Sequence, residues 1–383
     1  MTYELTQEQQ ILRETIRDFA QSEIAPLASK IDWECKVPAE LFAKLPQFGL
    51  FGVTAPSELG GAGADFLSLV IAIEEVSRAS GSLGASLSFH NAVVCEALSS
   101  SGNSKLRENM LPKLTSGSLG AFDFSTIHEE NKSKQILCKV EGSDLIVSGN
   151  SDYVVNAASA NVFLVLGNLE SVDRHREPEP VIFAFSKDQV PKEEFTVGEA
   201  KRLLGMRASD TAKISFNKLK LPLQSLVYEV SKVKQPLHAL LARANLAVAA
   251  QALGIAQASI DASVKYANER SQFNTKIGNF YAVQDMIASD SVDLETARAL
   301  TYLTAQEINT TSTLERDSSI AKISSSNAAV RASRNAIRVH GGYGFTRDYP
   351  VERFARDACI TQIYTESNED LKARVAKSLL GQT

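Results

Sequence analysis

Residues Ala336 to Glu369 read AIRVHGGYGFTRDYPVERFARDACITQIYTESNE. The stretch opens on a glycine-rich turn, His340-Gly341-Gly342-Tyr343-Gly344, and passes through a proline-centred loop into arginines alternating with acids. It then runs through the apolar Ile360, Ile363 and Tyr364 to a polar cluster, Thr365-Glu366-Ser367-Asn368-Glu369, ahead of a last helix. Glycines let a backbone come close to a phosphate, and helix N-termini offer unpaired N–H groups to anions. The order of these features points to an anion-binding turn followed by a shaped polar loop.

Upstream, the helical period dominates. Leu237 to Arg270 is long, alanine-rich and nearly free of breakers, with the small-residue run Ala-Leu-Gly-Ile-Ala-Gln-Ala suited to close helix packing. Further helices are predicted over about 282–308, 317–339 and 368–380, and long antiparallel helices with short connections form a four-helix bundle. The stretch from about 118 to 222 has a different texture. Short apolar runs at Leu137–Val140, Leu145–Val147, Val162–Leu166, Val181–Phe185 and Ile214–Phe216, separated by turn residues, predict a compact antiparallel barrel or sandwich. The first third is helical again. Thr6 and Gln9 have capping-box spacing, and helices are predicted from there to about Pro26, then over 39–48, 66–78, 84–99 and 104–114. The expected organisation is a helical N-terminal domain (1–117), a β domain (118–222) and a C-terminal four-helix bundle (223–383).

This whole-chain plan and its motifs resemble the acyl-CoA dehydrogenase family. The family's C-terminal signature runs through a Gly-Gly-x-Gly turn, a Pro-x-Glu-Arg-x-x-Arg-Asp-Ala segment and an Ile-Tyr-Glu-Gly-Thr-x-Glu loop. Gly341-Gly342-Tyr343-Gly344, Pro350 to Ala358 and Ile363 to Glu369 correspond. Lys201 to Thr211 is similar to the family's K-x-G-x-R-x-S-x-T element, for which turn and interdomain contacts are expected.

The resemblance implies FAD as cofactor and an acyl-CoA or acyl-carrier thioester as substrate. Tyr266 to Phe273 matches the family's Y-A-x-x-R-x-Q-F, in which Arg270 and Phe273 reach an FAD held mainly by a neighbouring subunit. Arg270 suits a diphosphate because its planar fork makes several charge-assisted bonds. Arg338 stands where the family has Gln and would add charge beside the diphosphate, near Gly341 and Gly342. Gln284, Ser367 and Glu369 complete that side of the cofactor set. At the flavin ring, Ser125 keeps a hydroxyl where the family has Thr, and Tyr153 replaces a stacking Trp. Val155 replaces a hydroxyl residue, so it has only a backbone N–H to offer. A buried strand pair is the other reading of Tyr153 and Val155. On the thioester side the candidates are Asn131, in a loop that has lost the family's glycine turn, and Asn245.

The family's catalytic glutamate follows the Tyr of the last motif, and here that position is Thr365. Desaturating an acyl thioester needs an α-proton acceptor, and a threonine hydroxyl cannot serve unaided. The other station for this base in the family, on the long helix, is occupied here by Ala244. Glu366 is the nearest carboxylate. It serves as base if the loop turns it inward, and otherwise it is solvated or caps the helix beginning near Ser367.

A net charge of −5 without a basic patch argues against nucleic acid. No uninterrupted apolar run of about 18 residues suggests a membrane span, and no leader is visible, so a cytoplasmic protein is expected. Cys35, Cys95, Cys138 and Cys359 are scattered and are expected to be reduced; no metal set is expected. Three functions stay open: an FAD-dependent oxidoreductase with an atypical base, a catalytically impaired subunit paired with an active paralogue, and a flavoenzyme with altered chemistry. A homotetramer or heteromer is implied, with an electron-transferring flavoprotein as electron acceptor if the chain is active.

Overall fold

The computed structural model describes residues 4–123, 136–170 and 178–382. Helix α1 (Gln7–Phe19) begins at the expected capping box: Gln9 N–H donates to Thr6 Oγ1 at 3.2 Å, and Thr6 N–H donates to Gln9 Oε1 at 3.0 Å. Pro26 bends the path instead of ending it, through a π turn and a 3-10 turn into α2 (Ala28–Glu34). The helix predicted over 39–48 is broken into α3 (Ala39–Phe42) and a 3-10 turn (Leu45–Phe48), because Pro46 cannot donate to the helical ladder. The all-helical first part closes with α4 (Phe66–Ala79), α5 (Gly81–Phe89), α6 (Glu96–Ser99) and α7 (Ser104–Thr115).

Among the described residues, seven strands follow: β1 (Gly120–Asp123), β2 (Leu137–Glu141), β3 (Asp144–Val154), β4 (Val162–Leu169), β5 (Glu179–Ser186), β6 (Phe195–Ala200) and β7 (Ala212–Pro222). They form one sheet in the order β1-β4-β2-β3-β7-β6, with β5 also paired to β4. The sheet is mixed, not antiparallel throughout, since β1 and β2 both run parallel to β4. The Val162–Leu166 stretch of β4 is buried along its whole length, as parallel pairing favours. Five phenylalanines (Phe163, Phe183, Phe185, Phe195 and Phe216) pack as the core beneath the sheet.

Beyond Pro222 come α8 (Lys234–Glu269), a hairpin of β8 (Ser271–Gln272) and β9 (Thr275–Lys276), α9 (Tyr281–Gln306), α10 (Leu314–His340), α11 (Val351–Ile360) and α12 (Asn368–Leu379). Helix α8 is long and apolar enough to cross a membrane, yet 89% of that stretch is buried inside the fold. Its small-residue run does bring α4 and α8 close: a Cβ on Gly254 would lie 2.3 Å from the Glu74 carbonyl oxygen.

The 201–211 segment makes the interdomain contacts predicted for it. The Met206 N–H donates to Asp357 Oδ1 at 2.6 Å, and Arg356 reaches the Leu204 carbonyl at 3.0 Å and both Asp32 oxygens at 3.0 and 2.8 Å. Burial pushes the Asp357 carboxyl up to about 6 at this junction.

Candidate active site

Two groups of residues come together, one at the end of α10 and one between α8 and α12. The first begins where α8 stops. The Arg270 N–H donates to the Tyr266 carbonyl at 2.9 Å, and the chain turns into the β8–β9 hairpin. Phe273 and Asn274 hold φ of 51° and 61°, a left-handed pair suited to a tight hairpin turn. Asparagine tolerates that conformation better than most residues with a side chain.

Arg270, Gln272, His340, Gly341, Gly342 and Tyr343 line a cavity of about 450 Å³. Tyr266 stacks on His340 with ring centres 4.2 Å apart, and the His340 Nδ1–H donates to the Ala336 carbonyl at 2.8 Å. Burial lowers the His340 pKa, so the ring is neutral and Nε2 is left to accept. A Cβ built on Gly341 or Gly342 would meet open space, which leaves the backbone there approachable. A guanidinium beside open glycine backbone fits an anionic group such as the FAD diphosphate.

Other residues expected on the cofactor side lie outside this lining. Phe273 is 89% exposed at the hairpin tip. Arg338 is exposed and donates to Asn335 Oδ1 at 3.1 Å, and Gln284 Nε2 donates to the Gly278 carbonyl at 2.9 Å. Ser367 caps α12, accepting from the Asp370 N–H at 3.1 Å, and Glu369 is exposed in the first turn of that helix. Ser125 and Asn131 lie outside the described residues. Tyr153 is not half of a buried strand pair. The residue is 69% exposed, with Lys201 Nζ 5.3 Å from its ring centre, while Val155 is half-buried against the apolar cluster that includes Phe89 and Ala244.

The second group surrounds Thr365. This residue is buried with φ of 66°, a left-handed conformation uncommon for a β-branched side chain. Its hydroxyl lies 3.0 Å from Asn245 Oδ1 and 2.6 Å from the Tyr364 carbonyl, with one proton to serve both acceptors. Asn245, fully buried on α8, donates from Nδ2 to Glu366 Oε2 at 2.9 Å. Each end of its amide thus makes a hydrogen bond within the protein.

Glu366 is neither solvated nor a helix cap. Its Oε2 accepts from Arg374 NH1 at 2.9 Å, and its Oε1 accepts from Arg374 NH2. Burial works to raise this carboxyl, but the Arg374 bonds and charge, the Asn245 amide and Lys322 outweigh it and hold the pKa below the ordinary range. A carboxylate so held is a poor proton acceptor. Ala244 is buried on α8, and its neighbour Arg243 pairs with Glu96 at 3.0 Å.

Two residues of this group were not singled out from the sequence. Lys322, on α10, is fully buried and donates to the Tyr364 carbonyl at 3.0 Å and to the Glu366 carbonyl. Burial pulls its pKa down to about 7, against the opposing pull of Glu366, Asp370 and Glu369. The available signal was a lysine sharing a helix face with Ser318, Ser325 and Ala329, all buried. Arg374, two turns into α12, carried no such mark. Among the described residues, no cluster of three His, Cys, Asp or Glu side chains is placed to hold a metal ion.

Residues 6–118 match the family model for the acyl-CoA dehydrogenase N-terminal domain, and residues 236–380 match that for the C-terminal domain. An acyl-CoA dehydrogenase of Bacillus subtilis is 34% identical over 99% of this chain and 100% of its own length. A short-chain specific acyl-CoA dehydrogenase of Clostridium acetobutylicum is 32% identical over 96% of this chain and 97% of its own. Among solved structures, a chain from work on the electron transferring flavoprotein of Acidaminococcus fermentans and its flavin-based electron bifurcation superposes with a TM-score of 0.93. It is 29% identical, covering 99% of this chain and 100% of that one. With matched domains at both ends and relatives aligned along its full length, the chain belongs to the acyl-CoA dehydrogenase family, FAD-dependent oxidoreductases of acyl-CoA.

Proposed function

We propose that this protein is an FAD-dependent oxidoreductase acting on an acyl-CoA thioester, with no carboxylate at the usual base position. The observation that carries the reading is the pairing of a diphosphate-type cavity at Arg270 and Gly341–Gly342 with a family loop whose base position holds Thr365. Arg270 and the glycine backbone bind and orient the anionic end of the cofactor. When bound, FAD supplies the acceptor for the β-hydride. Thr365 and Asn245 offer a neutral hydrogen-bonding surface beside the thioester and do not take the α-proton. Desaturation by this chain is therefore slow, because Glu366 stays ionised and committed to Arg374. The short-chain relative favours a short acyl group, and the solved structure concerned with an electron transferring flavoprotein favours such a partner as electron acceptor. We place the protein in the cytoplasm as a homotetramer.

Titration of the purified protein with butyryl-CoA, followed by flavin absorption, tests this reading. Bound flavin whose spectrum shifts on adding the thioester, with slow bleaching, supports it. Flavin indifferent to any acyl-CoA contradicts it.

The locked Glu366 also favours a second reading: an impaired subunit that completes the FAD site of an active paralogue. The nearly fully exposed Phe273 beside the cavity suits a surface that another chain covers. A protein that binds flavin only when mixed with that paralogue would select this reading.

A further inference from the structure

We propose that Lys322 is the positioning residue of this site: it grips the two backbone carbonyls that flank Thr365 and so sets the direction of the side chain at 365. The proposal rests on the reading that residue 365 faces the thioester. The acceptors are the carbonyl oxygens of Tyr364 and Glu366, one residue to either side of Thr365. The backbone between them is held left-handed, a conformation that needs external restraint in a β-branched residue. Two charge-assisted bonds from one ammonium supply that restraint.

The rest of the surroundings are arranged to keep this ammonium in place. Lys322 comes from α10, fully buried among serines and alanines, where a bare ammonium would be strongly disfavoured. The carboxylates facing it are Glu366 on the loop and Glu369 and Asp370 on α12, with the Arg374 guanidinium opposing them. From α8, Asn245 contributes a neutral amide that takes the Thr365 hydroxyl and one oxygen of Glu366. The loop is thus fixed from three helices. Its side chain at 365 can change while its backbone stays put, and Glu366 acts as a counter-ion in this frame.

The test uses the full chain with bound FAD and compares Thr365→Glu with the double variant Thr365→Glu/Lys322→Met. If Lys322 positions residue 365, flavin bleaching by butyryl-CoA slows about ten- to a hundredfold in the double variant. KM then stays within about twofold, since thioester binding does not depend on the grip. An unchanged kcat in the double variant overturns the proposal. If Thr365→Glu itself bleaches no faster than the wild type, the reading of 365 as the base position fails. Lys322 is then judged separately, by amide hydrogen exchange in the otherwise unaltered protein. Lys322→Met must speed exchange of residues 364–368 about tenfold or more while the α8 and α9 amides keep their rates. Unaltered exchange of the loop overturns the proposal. Should the methionine variant fail to fold, Lys322→Gln, which retains a neutral donor, is held to the same criteria.

Discussion

Arg374 and Glu366, eight residues apart, meet as a two-pronged ion pair in which each carboxylate oxygen accepts from a different guanidinium nitrogen. The carboxylate is almost wholly buried, and the guanidinium is only partly so. Removing the arginine strands the charge. Arg374→Ala is predicted to lose about 2–3 kcal/mol, below the ~3–5 kcal/mol seen when a fully buried pair is broken, because Asn245 still donates. Urea denaturation at neutral pH measures the loss, and a change under about 0.5 kcal/mol would show the pair to be surface-like. The folded-state pKa of Glu366 is depressed, so its stabilisation is present above the ordinary carboxylate range and is lost as pH falls through the folded value.

Lys322 has the opposite energetic character. Its pKa falls from 10.5 to about 7 on folding, so between those values the unfolded chain binds more protons than the folded one. Stability from this group therefore rises with pH across that window and is lowest below it. Relative to Lys322→Met, the wild type should become progressively more stable as pH is raised from 7 toward 10. Paired urea titrations at several pH values report the difference, and a flat difference would show that Lys322 titrates normally.

Arg270 lines the cavity assigned to the anionic part of FAD. Arg270→Gln keeps a donor but loses the charge, and a hydrogen bond to a charged group is worth about 1.5–3 kcal/mol. Flavin affinity is expected to weaken about ten- to a hundredfold, read as flavin retained after dialysis. Retention equal to the wild type would remove Arg270 from the cofactor site.

Much of the architecture was readable from residue patterns, and the exceptions have physical causes. The Thr6–Gln9 box, the small-residue face around Gly254 and the switch from helical to strand periodicity near Gly120 are local signals that tertiary packing left intact. Helix α11 was hidden because its arginines and acids mask the apolar positions Val351, Phe354 and Ala358 that pack inward. The parallel edges of β4 depend on pairing across long sequence separations. At the site, Arg270, His340 and the two glycines were placed by motif, and they share one cavity. The fate of Glu366 could not be read, because it depends on Arg374 and Asn245, which meet it only through folding.

The central claim is that the loop around residue 365 is intact and lacks only its carboxylate. Thr365→Glu tests it directly, through the rate of flavin bleaching by butyryl-CoA under single-turnover conditions. A positioned general base contributes about 10²–10⁴-fold, so the variant should bleach at least about a hundredfold faster than the wild type. A wild type that bleaches as fast as the variant would contradict the account, since α-proton removal would then be proceeding through a group other than the side chain at 365.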